Sequence, residues 1–412
     1  MGRCVLDVAF CYPSRVAGGA ELLFFKCARY LAGLGRYNVS YVDYDDGFAY
    51  RYVSENESIN HISYTDNCAV DIKENTIVII PLSYIPIINN YLVRPERLKY
   101  LIWSINPYNL VSYMDLHRQQ LFTASERKRT RIGEGLKELS EKGIIRYMDY
   151  NNYYWNSSVF NFSLRKICYL PIVVDDIVAP DMKDKSFGFK ELSFVWLGRL
   201  DVDKYHTILT FLNELESLSS SYKITLYIVG VGNKEKTLRK KCEKMVTKVV
   251  FIGKLFGEEL KEFIVDNVDI GLAMGTSALD IAKMGKPVIV EGVLDHTYKV
   301  GKRKDYVLVS EIKNYDVVSP GYYDKNLGHG FNDLICRILN DYKTCAYMCY
   351  SYVKQRHSEP FVMGKIEAAI KKAYNNYDID CFFKLMDIGD RINKVSVDNH
   401  LKYKLIRKLM DF

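Results

Sequence analysis

The stretch Phe194–Lys204, FVWLGRLDVDK, opens a run that continues through LYIVGVGN at 226–233 and VVFIGKLFGEEL at 249–260. It closes with DIGLAMGTSALDIAKMGKPVIV at 269–290. Each short apolar run stops at a glycine-bearing turn, and each turn leads into a segment whose apolar residues recur at helical spacing. This is a succession of βα units, the pattern of an open parallel sheet, and such sheets take their ligands beyond the carboxyl ends of the strands. Three of those ends combine glycine with Arg, Lys, Ser or Thr: Gly198–Arg199, Gly253–Lys254 and Gly275–Ser277. A phosphate-bearing ligand needs that combination, because glycine admits it to the backbone and the cations neutralise it.

Outward from this stretch, a chain of 412 residues exceeds one ordinary core and implies about two domains of roughly 150–200 residues. Hydrophobic content of 48% and charged content of 26% are those of a globular protein. No window approaches the roughly 20 unbroken apolar residues of a membrane span. The opening MGRCVLDVAFCYPS reads as a first strand rather than a signal peptide, and Leu6 stands where a myristoylation signal needs Ser or Thr. The 10 cysteines show no paired metal spacing, which fits reduced thiols and a cytoplasmic location. A net charge of +7 suits an anionic ligand or an acidic membrane surface and is too diffuse to imply nucleic acid.

The first domain is expected over residues 1–180. Cys4–Phe10 reads as a strand, followed by a loop with Pro13, Gly18 and Gly19, a helix from Glu21, and a glycine stop at Gly33 and Gly35. Further strands are expected at Asn38–Tyr44, Thr76–Pro81 and Leu98–Ile105. This Rossmann-like opening lacks the G-x-G-x-x-G spacing of a dinucleotide site. Trp103, Asn106 and Asn109 fall at a strand-to-loop junction. Glu126–Lys142 is helix-prone and holds the densest basic cluster, Arg127, Lys128, Arg129 and Arg131, which is either a solvated face or a surface for anionic lipid.

A linker composition at 170–190 leads into a second domain, expected over 181–360. A strand at Tyr306–Val309 and a helix at Phe331–Leu339 extend it. Residues 361–412 form a closing helix after the breaker Pro360 and then a basic amphipathic tail, HLKYKLIRKLMDF, which either docks on a membrane surface or packs on the first domain.

Within the opening stretch, Gly198, Arg199 and Lys204 are placed to neutralise a leaving diphosphate, although an Arg at an exposed turn would look the same. Gly230 and Gly232 are commonly plain βα turns. Gly253 and Lys254 are placed to line a nucleoside pocket. Gly275, Thr276 and Ser277 begin a helix and offer N–H groups and hydroxyls to an anion, unless Thr276 or Ser277 merely caps that helix. Asp280, about one turn further on, can accept hydrogen bonds from ribose hydroxyls.

GGAELLF at 18–24, GRLDVDK at 198–204, IVGVGN at 228–233, FIGKLFGEEL at 251–260 and SALDIAKMGKPVIV at 277–290 stand in the order found in glycosyltransferase family 4, and the chain resembles that family. The resemblance implies an α/β GT-B fold of two facing Rossmann-like domains with parallel sheets, here with a C-terminal helical tail. It implies a retaining, metal-independent transfer of a sugar from a nucleoside-diphosphate donor to a saccharide or lipid-linked saccharide in glycan assembly, with no cofactor beyond that donor. It puts Gly18 and Gly19 in the loop facing the donor diphosphate and Arg199 and Lys204 on it. Asp280 matches the second acidic residue of the family's Glu-x7-Glu motif. The first falls at Leu272, so Gly275, Thr276 and Ser277 are the candidates to replace it. No His stands at the usual strand end of the first domain; Asn106 occupies that place and can hydrogen-bond an acceptor hydroxyl.

Two other readings of the residues stay open. A nucleotide-sugar epimerase shares the architecture, and a non-catalytic sugar-nucleotide-binding or scaffold protein would fit the loss at Leu272. Asp43-Tyr44-Asp45 has the look of a metal-binding Asp-x-Asp, but at the end of only the second strand it reads as turn acidity. The histidines, among them His117, His206, His296, His329 and His357, show no metal or triad spacing.

Overall fold

The computed structural model describes residues 5–15, 18–66, 68–106, 126–175, 177, 180, 191–291, 306–318 and 328–376. The chain divides into two compact units, Met1–Val173 with Pro360–Phe412, and Val174–Glu359. The basic tail, Asn109, His117 and His296 lie outside the described residues.

The first unit is built on β1 (Leu6–Cys11), α1 (Gly19–Gly33), β2 (Tyr37–Asp43), α2 (Tyr50–Val53), β3 (Ile59–Ser63), β4 (Ile77–Pro81), β5 (Lys99–Ser104), α3 (Glu126–Glu141), β6 (Ile145–Tyr147) and α4 (Tyr150–Phe160). Its strands form one sheet in the order β3-β2-β1-β4-β5-β6, and every pairing is parallel. The period of 2 along each strand sends alternate side chains to opposite faces. Val8, Phe10, Ile77, Ile79, Leu101 and Trp103 face the core shared with α1, while Ala9, Cys11, Val78, Ile80 and Ile102 face the core shared with α3 and α4. The closing helix expected after Pro360 belongs to the α1 side of this core, where Val362, Met363, Ile366 and Ile370 are buried. β3 and α4 escape a reading by periodicity. β3 is an edge strand with little apolar signal, and the segment YNNYYWNSS has Asn at interior helix positions where local hydrogen bonds compete with the helix.

Two buried carboxylates hold this unit's loops. Asp43 is fully buried and accepts hydrogen bonds from the backbone N–H groups of Ser14 (2.9 Å), Tyr44 (2.9 Å) and Tyr50 (3.1 Å). Burial raises its pKa, opposed by those N–H donors. The Asp43-Tyr44-Asp45 triplet thus spends its first carboxylate on the turn after β2, and a Cβ at Gly47 would lie 2.3 Å from that carboxylate. Asp149 caps α4, accepting from the backbone and side-chain nitrogens of Asn152, both at 2.8 Å. Ser104, at the end of β5, donates to Asn152 across 3.2 Å and ties the cap to the sheet.

The second unit comprises β7 (Glu191–Leu197), α5 (Val202–Leu218), β8 (Lys223–Val229), α6 (Glu235–Cys242), β9 (Lys248–Gly253), α7 (Gly257–Asn267), β10 (Ile270–Leu272), α8 (Thr276–Lys283), β11 (Val288–Glu291), β12 (Tyr306–Leu308), α9 (Phe331–Asn340), α10 (Tyr342–Arg356) and the first residue of α11 (Glu359–Asn376). Its sheet runs β12-β11-β10-β7-β8-β9. All pairings are parallel except β11 with β12, which is antiparallel. The expected parallel sheets are present, with one antiparallel edge where a strand of three residues following β11 returns beside it. The central strands are continuous apolar runs because helices cover both faces. Among the described residues no helix is long and apolar enough to cross a membrane.

Burial pushes Asp149 up to about 6 from its ordinary 3.8. A folded pKa above the unfolded one means that its stabilising contribution is complete below about pH 4 and is lost as the pH rises through 6, by about 2–3 kcal/mol. Asp149→Asn keeps an acceptor for the cap and removes the titration. Denaturant midpoints across pH 4–7 should therefore show a flatter curve for the variant than for the parent, and superimposable curves would contradict the buried-acid assignment.

Candidate functional site

The turns after β7 and β8 are zipped together. Gly198 N–H donates to the Val229 carbonyl at 3.0 Å, Leu200 N–H to Val231 at 3.0 Å, and Lys234 N–H to Leu200 at 2.8 Å. The contact is tight enough to dictate residue type. A Cβ at Gly230 would stand 2.0 Å from the Gly198 carbonyl oxygen, and one at Gly232 would stand 2.3 Å from Leu200 carbon. Gly198 and Gly230 also have φ of 155° and 143°, a region that favours glycine. The second turn of this stretch is therefore a backbone platform that presses the first into place, and Gly230 acts through packing.

Arg199 projects from that first turn, 67% exposed, and its Nη1 donates to Asp201 Oδ2 at 3.2 Å. The other oxygen of Asp201 accepts the Asn233 N–H at 3.0 Å, and its carbonyl accepts the Lys204 N–H at 3.0 Å. Asp201 stands at the cap position of α5, yet its carboxylate does not cap that helix. It clasps the two turns and orients Arg199 instead. Sequence reasoning assigned it no role, since an Asp before a helix reads as an ordinary cap. Lys204 lies half-buried in the first turn of α5, so both cations leave from one anchored segment.

β7 pairs with β8 on one side and β10 on the other. The chain leaves β7 toward β8 and leaves β10 toward β11, so the loops at these two strand ends part and open a crevice at the switch point. The β10 side of that crevice is the turn Ala273–Gly275 leading into α8. Gly275 has φ 66° and ψ −140° and is the cap residue; no side chain caps this helix. The Gly275 N–H donates to the Val317 carbonyl at 2.8 Å. Thr276 is exposed and Ser277 half-exposed, so neither hydroxyl is spent on capping. Asp280 lies 3.7 Å from Lys283, which also donates to the Asp175 carbonyl at 3.2 Å. Leu272 is fully buried within β10. Counting back from Asp280 therefore lands inside the strand, and the turn that follows, Ala273, Met274 and Gly275, contains no acidic residue.

Gly253 has φ 87° and open space around a Cβ at its position; Lys254 beside it is exposed. Phe256, 74% exposed, stands between that strand end and α7, an aromatic that sequence patterning alone does not separate from core residues. The second unit thus collects Gly198, Arg199, Lys204, Gly230, Gly253, Lys254, Gly275, Thr276, Ser277 and Asp280 on the carboxyl side of one sheet. Gly18, Gly19 and Asn106 belong to the first unit. Gly18 precedes α1 in extended conformation, and a Cβ there would lie 2.4 Å from a Glu21 carboxylate oxygen. That carboxylate is buried and accepts the Ser14 hydroxyl at 2.8 Å, and the exposed Arg15 beside it pairs with Asp46 at 2.8 Å. Asn106 is exposed just beyond β5. Among the described residues no cluster of His, Cys, Asp and Glu could hold a metal ion.

No protein-family model matches the chain, and no curated protein matches it. Solved structures do. A lipopolysaccharide outer core galactosyltransferase, WaaB in its apo form, superposes with a TM-score of 0.57 at 12% identity, covering 89% of this chain and 99% of that one. A glycosyltransferase from Rickettsia africae gives 0.56 at 14% identity, covering 90% and 99%. The fold is GT-B. The N-terminal domain of a trehalose-6-phosphate phosphatase from Candida albicans gives 0.52 at 12% identity, covering 89% and 97%. At these identities the likeness speaks for the GT-B fold alone, and activity has to be argued from the residues.

Gly230→Ala should cost about 2–3 kcal/mol, because the side chain meets a backbone carbonyl and a disfavoured φ at once. A fall in melting temperature of several degrees is the expected result. An unchanged melting temperature would mean that the two turns do not approach as described.

Proposed function

We propose that this protein is a glycosyltransferase that moves a sugar from a nucleoside-diphosphate donor to a saccharide or lipid-linked saccharide acceptor in glycan assembly. One observation carries the proposal. Two cations, Arg199 and Lys204, leave one anchored turn at the switch point of the second sheet, beside the start of α8. Negative charge grows on the diphosphate as the sugar bond breaks, and preorganised cations and helix N–H groups aimed there lower the barrier.

In this scheme Arg199 engages the diphosphate by its planar fork and Lys204 as a point charge. Thr276 and Ser277 supply hydroxyls and N–H groups from the α8 terminus, and Gly198 and Gly275 let the ligand approach the backbone. Asp280 accepts from the ribose hydroxyls, and Gly253 and Lys254 border the nucleoside. Phe256 is an available face for its base. The acceptor hydroxyl attacks the anomeric carbon, the bond to the diphosphate breaks, and the leaving phosphate oxygen takes the hydroxyl proton. Attack on the face of departure retains the configuration. The family resemblance assigns Gly18 and Gly19 to the donor diphosphate and Asn106 to the acceptor. Neither a metal nor a cofactor is required when the two cations stabilise the leaving group, and a cytoplasmic site of action, peripheral to a membrane, suits a lipid-linked acceptor. Donor binding without turnover is the second reading, favoured by the burial of Leu272 and the short turn that follows it.

A panel of nucleotide sugars, with and without saccharide acceptors, tests the proposal. Release of free nucleotide accelerated by an acceptor is the expected result. Interconversion of the donor sugar would indicate an epimerase, and retained binding without turnover a scaffold. Arg199→Ala and Lys204→Ala should each lower turnover by about 100-fold with an unchanged melting temperature. Full activity in both variants would remove the diphosphate site.

A further inference from the structure

The second unit carries a charged patch on the edge of the sheet opposite the candidate site. Lys240, Lys241, Lys244 and Lys248 run from the last turn of α6 to the start of β9, and all four lysines are exposed. None of the four makes an ion pair among the described residues; the neighbouring Arg239 does, with Glu235 at 2.7 Å. Glu243 is the only acidic residue within the segment. Between Lys244 and Lys248 stands Val246, 80% exposed, more than any other large hydrophobic residue described.

The exposure of Val246 is built. Its backbone N–H donates to Glu216 Oε1 at 2.8 Å, and that of Thr247 donates to Glu216 Oε2 at 3.1 Å. Thr247 is buried. Although burial opposes it, those two donors hold the Glu216 carboxyl below the usual carboxylate range. One carboxylate therefore grips both N–H groups of the turn, turning Thr247 inward and Val246 outward. A fixed, exposed apolar residue flanked in sequence by unpaired lysines is not explained by the fold, since a solvated loop needs no exposed Val at such a grip.

We propose that Lys240–Lys248 docks the second unit on an anionic lipid surface, with the lysines against the headgroups and Val246 inserted at the headgroup boundary. Charge complementarity selects a polyanion, and Val246 selects a lipid among polyanions. An apolar side chain gains by leaving water for the acyl boundary and gains nothing against a row of nucleic-acid phosphates. The geometry permits it. Lys248 begins β9, whereas Gly198, Gly230 and Gly253 lie at the carboxyl ends of the parallel strands. A bilayer at the amino edge leaves the carboxyl edge open. The proposal does not depend on sugar transfer.

Sedimentation of the full chain with phosphatidylcholine vesicles, with and without phosphatidylglycerol, tests it. Binding is expected only to the anionic vesicles and should weaken as salt rises. A variant carrying Lys240→Glu, Lys241→Glu and Lys244→Glu should lose at least about tenfold in vesicle affinity. Val246→Ser, which leaves every charge in place, should lose about threefold. Both changes are at exposed side chains, and unchanged melting temperatures would establish that the variants fold. Equal binding to neutral vesicles, or none to either kind, overturns the proposal. So does unaltered anionic-vesicle binding by the triple variant, which would place binding on other basic segments such as the tail. Binding to duplex DNA without binding to vesicles overturns it in favour of nucleic acid.

Discussion

The close approach of two backbone turns, with Gly230 lying on the carbonyl of Gly198, is the constraint from which the second unit's ligand edge follows. A side chain at 230 has no room, so the β8 turn can lie flat against the β7 turn and exchange hydrogen bonds with it along its length. That fixes where α5 starts, which in turn fixes where Arg199 and Lys204 leave the backbone. Asp201 completes the arrangement by gripping Asn233 and Arg199 with its two oxygens. A cation held in place before a ligand arrives loses less freedom on binding than one on a mobile loop. Backbone packing thus sets the electrostatics of the strand ends.

The same device recurs with different chemistry. Asp43, Asp149 and Glu216 each hold a turn by accepting backbone N–H groups. In the first unit these grips surround loops that carry acceptor groups, with Glu21 beside Gly18 and Asn106 beyond β5. In the second unit Glu216 holds the turn that stands between Lys244 and Lys248.

The legible parts of the chain were those where one period dominates. The βα units from Phe194 to Val290 announce themselves because buried parallel strands are unbroken apolar runs and their turns need glycine. The edge strand Ile59–Ser63 and the Asn-rich helix Tyr150–Phe160 did not, because one lacks an apolar stripe and the other is held by a buried cap that no local pattern reveals. At the candidate site, glycines and cations could be read from residue type, but their division of labour could not. Whether Gly230 meets a ligand or a carbonyl, whether Asp201 caps a helix or clasps a turn, and whether position 272 lies in a loop or a strand are all decided by contacts distant in sequence. The pinned exposure of Val246 was equally invisible, since Glu216 lies on α5, far from it in sequence.

Hydrogen exchange read by mass spectrometry, with and without a panel of nucleoside diphosphates, tests the central claim without knowledge of the sugar or the acceptor. Backbone N–H groups in Gly198–Lys204 and Gly275–Asp280 should gain protection with at least one nucleoside diphosphate and lose that gain in Arg199→Ala. Protection confined to the first unit, or none with any nucleoside diphosphate, would contradict it.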